Sequence, residues 1–80
     1  MAGTITGMQC RMARGLLKIS ETELGNMANV SIATIRRIES VDGNPPVRMQ
    51  NIEAVHDAFL ATGKIEFTVA GIVPIISGSN

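Results

Sequence analysis

Two helix-start signals eleven residues apart constrain most of what this 80-residue chain can fold into. Ser20-Glu21-Thr22-Glu23 has the form of a capping box, in which hydroxyl and carboxylate satisfy each other's orphan backbone N–H groups. A helix is expected to start there and run to about Ala28. Asn29-Val30 supplies the reversal, because Asn tolerates the left-handed backbone that a sharp turn needs. Ser31 then caps a second helix, Ile32 to about Glu39. Helical spacing puts Ile35 and Ile38 on one face of it, toward Leu24, Ala28 and Val30. The opposite face carries Ala33, Arg36, Arg37 and Ser40. Such a helix rests on a core with one side and offers small residues and paired guanidinium groups with the other.

The flanking segments supply that core. Thr6-x-x-Gln9 is another capping box, so the first helix runs about Gly7 to Leu17. Met8, Met12 and Leu16 fall four apart on it, widened by Ala13 and Leu17, and are expected to be its buried stripe. Arg11 and Lys18 read as a solvated face. Val41–Pro46 is a loop, since Asp-Gly and Asn-Pro-Pro break helices. Met49, Ile52, Val55, Phe59 and Leu60 then keep helical spacing, predicting a fourth helix from about Val47 to Thr62 that ends at Gly63. His56, alone beside that stripe, reads as structural. After Lys64 the period changes. Ile65, Phe67 and Val69 alternate with Glu66 and Thr68, as in a strand. Ala70-Gly71 permits a turn, and Ile72–Ile76 a return strand in which Pro74 cannot donate to a ladder.

Eighty residues make one small, marginal core, which a partner subunit would help. Formal net charge is zero, but unevenly placed. Residues 1–50 hold six Arg/Lys against four Asp/Glu, and residues 51–80 hold one against three. One half can therefore meet a polyanion while the other cannot. Cys10 is the single cysteine, which excludes an internal disulfide and a cysteine-based zinc site and fits a cytoplasmic location. No secretory or membrane-spanning pattern is visible. Neither is a Gly-rich phosphate loop, a metal cluster or a nucleophile–base pair, so the expectation is a non-enzyme with no cofactor and no small-molecule ligand.

The stretch from Thr6 to Gly63 resembles the Cro/lambda-repressor-like (XRE) family of bacterial and phage transcription regulators. Leu24, the small residue Gly25, the turn at Asn29, Val30, Ile35 and Ile38 fall at that family's core spacings, and Arg14 and Glu39 match its recurrent ion pair. Two positions depart from the pattern: Asn29 stands where Gly is usual, and Glu21 where a Gln often faces a phosphate. The resemblance implies a mainly α fold, a four-helix lambda-repressor-like DNA-binding domain over residues 1–63. Residues 64–80 would add a short β-strand or hairpin that dimerises the protein through Ile65, Phe67 and Val69. The alternative for that segment is a hairpin folded back on its own fourth helix.

In function the resemblance implies a sequence-specific DNA-binding regulator, a repressor by economy, reading a palindrome as a homodimer. Half-sites would lie about one helical turn (about 34–36 Å) apart. Base-contacting candidates are Ile32, Ala33, Arg36 and Arg37, with Arg37 suited to guanine O6/N7 and the apolar pair to thymine methyls. Phosphate-contacting candidates are Ser20, Ser31, Thr34, Ser40, Asn44 and Arg48. The bland reading of Arg36 and Arg37 is two solvated arginines. The rival function is a protein-interaction module on the same fold, an antitoxin or antiactivator, favoured by neutrality, by Glu21 and Glu23, and by the apolar tail.

Overall fold

Thr6 caps the first helix. Its hydroxyl accepts the Gln9 N–H at 3.1 Å while the Gln9 side chain accepts the Thr6 N–H at 2.9 Å, closing the expected capping box. This computed structural model describes residues 4–68 and 71–74, with Val73 described by its backbone alone. The element order is α1 (Gly7–Leu17), α2 (Glu21–Ala28), α3 (Ile32–Glu39), α4 (Met49–Ala61), β1 (Ile65–Thr68) and β2 (Gly71–Pro74). It is a mainly helical fold with one two-stranded antiparallel hairpin.

The three short helices begin and end where local chemistry says they should. Ser20 and Glu23 form the second capping box, and Ser31 accepts the Thr34 N–H at 3.1 Å to start α3. Lys18 and Asn29 close α1 and α2 in the left-handed region, both at φ 58°. Asn29 costs little there, whereas Lys18 is an unusual occupant of that conformation. Gly25 is small for a reason visible at the turn: a Cβ on it would sit 2.9 Å from the Val30 carbonyl oxygen.

The core gathers Leu24, Ile35, Ile38, Ile52, Val55, Phe59 and Ile65 with Ile5, Cys10 and Ala13. Here the structure corrects the reading of α1. Met8, Met12 and Leu16 are not the buried stripe; each is 44–46 % exposed. The buried line is Gly7, Cys10 and Ala13, with Leu17 packed at its end. The physical cause is close approach. A Cβ on Gly7 would lie 1.9 Å from the Val41 carbonyl oxygen and 2.4 Å from that of Ile38. Only a small-residue face lets α1 come this near the end of α3, and that rotation carries the long side chains outward.

The fourth helix also starts later than its spacing suggested. Arg48 is extended, with ψ 142°, so the helix begins at Met49 rather than Val47. Val47 packs against the core from the segment before it, while Met49 is 56 % exposed instead of joining the stripe. Leu60 is exposed as well, and Ala58 joins Ile52, Val55 and Phe59 inside. Gly63, at φ 70°, follows the last turn in the left-handed conformation expected of it.

The chain after Gly63 folds back on its own helices. β1 pairs with β2, Ile65 opposite Pro74 and Phe67 opposite Ile72. Ile65 is buried in the core, and the Phe67 ring meets Phe59 edge-on at 5.7 Å and His56 at 5.4 Å. Gln9 pins the hairpin to α1, its Nε2 donating to the carbonyls of Thr68 and Gly71 at 2.9 Å each. The side chains of Ile65 and Phe67 are thus used within the protomer, as in the second alternative. Val69, Ala70 and Ile75–Ile76, which the strand reading included, lie outside the described residues, as does the start of the arm at 1–3.

Candidate nucleic-acid interface

One helix, α3, has both its sides explained. On its inner side Glu39 is buried, yet charged and fully partnered. Arg14 approaches it as a fork, Nε and Nη2 each donating at 2.8 Å to a different carboxylate oxygen. The Arg14 Nη1 group also donates to the Ile19 carbonyl at 3.2 Å, and the Cys10 thiol donates to Glu39 at 3.3 Å. Burial pushes the Glu39 carboxyl up, but the hydrogen bonds from Arg14 and Cys10, with the charges of Arg14 and Arg11, hold it below the usual carboxylate range. The Cys10 thiol moves the other way. Burial raises it first, and the neighbouring Glu39 charge raises it further. Arg14 is held charged, chiefly by its bond to Glu39.

Arg11 belongs to this framework, which corrects its reading as a solvated residue. It donates to the carbonyls of Glu39 at 2.7 Å and Val41 at 3.2 Å and pairs with Asp42. The Gly7 and Met8 N–H groups in turn donate to Gly43 and Asp42 carbonyls, at 2.9 and 3.2 Å. These are first-turn donors that α1 cannot satisfy internally, and the loop after α3 satisfies them. α1 is therefore bolted to the far end of α3 by both backbone and side chains.

The outer side is arranged differently. Ala33, Arg36, Arg37 and Ser40 are exposed and Ile32 is half-buried. Ser40 is occupied locally, its hydroxyl donating to the Arg37 carbonyl at 2.6 Å. Ser20 and Ser31 act first as caps, and Thr34 lies 2.9 Å from the Ser31 hydroxyl. Arg36 donates through Nε to Glu21 at 3.3 Å, in the open. Among the described residues, no carboxylate pairs with Arg37 or Arg48.

A cleft of about 490 Å³ joins α3 to the start of α4, lined by Thr34, Arg37, Pro46, Val47, Arg48 and Asn51. It brings three of the expected residues together and adds Asn51, which sequence reasoning missed. Nothing local marks Asn51 apart from its place in the first turn of α4. That turn has no side-chain cap on its N–H groups, since Arg48 provides none. Two guanidinium groups, an amide and a hydroxyl around one cleft without a carboxylate make an anion-accepting surface. Asn44 is not brought here. It lines a separate groove of about 620 Å³ beside Ile5, Met8, Met12 and Phe67.

Among the described residues, no group of three His, Cys, Asp or Glu side chains is placed to hold a metal, and no helix is long and apolar enough to cross a membrane. Compared with models of known families, with curated proteins and with solved structures, the chain matches none of them.

Proposed function

We propose that this protein is a sequence-specific DNA-binding transcriptional regulator with a lambda-repressor-like domain, in which α3 enters the major groove. The observation that carries the reading is the two-sidedness of α3. Its inner side is fixed by Arg14, Cys10 and the core, while Arg36 and Arg37 stand outward, Arg37 on a cleft whose lining holds no carboxylate. Base recognition demands both properties, because a base-edge contact discriminates only when its side chain is held on a rigid support. In this reading Arg37 takes a guanine edge and Ile32 and Ala33 meet thymine methyls. Thr34, Arg48 and Asn51 hold the adjoining phosphates. Two copies joined along the outer backbone edge of β1 would read a palindrome and act as a repressor by occlusion.

Operator selection from genomic fragments, followed by binding measurements on the selected duplex, tests the reading. Arg37→Ala is expected to lose preference for that duplex by about 5- to 100-fold. Arg48→Ala is expected to weaken all duplexes alike and to lower the salt slope by about 1. Selection of no duplex, or parental binding by both variants, defeats it.

The exposed stripe of Met8, Met12 and Leu16 favours a second reading, a protein-interaction module of the antitoxin or antiactivator kind. Adaptable methionine surfaces suit protein partners. A module of that kind leaves DNA from its own promoter region unshifted when no partner is present.

A further inference from the structure

The pair between Arg36 and Glu21 has no structural task of its own. Both side chains meet solvent, at 64 % and 30 % exposure, so neither needs the other to be neutralised. Glu21 opens the first turn of α2, where the helix N-terminus already favours a carboxylate, and its charge also reaches Arg14. Arg36 lies in the last turn of α3, where the helix C-terminus already favours a cation. What the pair does have is position. Arg36 is on the outward side of α3, and Glu21 lies 3.3 Å from its guanidinium. Any polyanion that touches Arg36 therefore meets a carboxylate at the same spot.

We infer that Glu21 is an electrostatic brake on this surface, a positioning residue that holds Arg36 back from phosphates and thereby sharpens sequence preference. The inference rests on the DNA-binding reading. Non-specific affinity for DNA comes almost wholly from phosphate contacts, whereas specific affinity adds base edges. A carboxylate beside an arginine subtracts from the first and leaves the second. With Glu21 in place Arg36 arrives already neutralised and releases few counterions. Without it, Arg36 becomes one more phosphate-binding cation. The same arrangement accounts for a recognition surface on a chain whose formal net charge is zero.

The test uses Glu21→Gln, which keeps shape and removes charge, in the full chain. Binding is measured to the selected duplex and to a random-sequence duplex across a salt series. Random-sequence affinity is expected to rise about three- to tenfold at low salt, with the salt slope steeper by about 1 and a smaller gain on the selected duplex. In an Arg36→Ala background the gain should vanish. Unchanged affinity for both duplexes overturns the inference, and so does a gain that persists undiminished without Arg36. If neither the parent nor Glu21→Gln holds any duplex at any salt, the DNA-binding reading itself fails and the brake goes with it. Thermal unfolding of Glu21→Gln close to the parent's ties the effect to the surface rather than to the fold.

Discussion

Two arginine–carboxylate pairs flank α3, and they differ in almost everything but chemistry. Arg14–Glu39, on the inner side, is a two-pronged contact at 2.8 Å with side-chain exposures of 24 % and 6 %. Arg36–Glu21, on the outer side, is a single contact at 3.3 Å between an exposed guanidinium and a half-buried carboxylate that still meets solvent. A buried carboxylate has no water to fall back on, so its partners are obligatory and its geometry is fixed. An exposed pair exchanges one good solvation for another and is free to be replaced by a ligand. Burial alone turns the same two functional groups into framework on one side and into an exchangeable surface on the other.

Breaking the inner pair should produce the largest effect. Arg14→Ala leaves Glu39 buried with only Cys10 to hold it, and is expected to cost about 3 kcal/mol of stability by urea unfolding. A loss under about 1 kcal/mol would mean that Glu39 relaxes to water and that the inner pair is no framework. Gly7→Ala attacks the same junction without touching charge. Its Cβ would press on the Ile38 and Val41 carbonyls, so α1 must move from the end of α3. A cost of about 2 kcal/mol is expected, read from the same unfolding curves.

Acid sharpens the contrast further. The folded Glu39 carboxyl is lowered, so its contribution is present above the ordinary carboxylate range and is lost as pH falls through and below that range. Cys10 gives the mirror case. Its folded thiol is raised, so that contribution is complete below the ordinary thiol value of 9.0 and declines as pH rises past it. Stability of the parent should therefore fall at both extremes. Glu39→Gln should flatten the acid limb, and Cys10→Ala the alkaline one. Limbs of unchanged steepness in these variants would show that other groups set the pH dependence.

The legible parts of this chain were those where neighbours in sequence decide the outcome. Thr6 with Gln9, Ser20 with Glu23, Ser31 and Asn29 each act across three or four residues, and each sits where local chemistry places it. The Arg14–Glu39 pair, 25 residues apart, was legible through a family resemblance rather than through spacing. What local pattern missed depends on distance in space. α1 carries two faces at helical spacing, Met8-Met12-Leu16 and Gly7-Cys10-Ala13, and hydrophobic size favours the first. The approach of the Val41 carbonyl selects the second, and nothing within α1 announces it. Sequence alone makes Arg11 look solvated, because its acceptors are carbonyls and a carboxylate some 28 to 31 residues away. Asn51 joins Arg37 only because the chain through Pro46, Val47 and Arg48 brings the first turn of α4 to the same cleft as α3.

The smallest expected effect is the most pointed check on the comparison. Arg36→Ala removes as many hydrogen-bonding groups as Arg14→Ala, yet should change stability by less than about 0.5 kcal/mol. Glu21 keeps its water and the favourable end of α2, so nothing is left buried and unpaired. The variant should unfold at nearly the parent's urea concentration with the same slope. A cost approaching that of Arg14→Ala would place Arg36 in the framework, and the outer side of α3 would then be holding the protein together rather than waiting for a ligand.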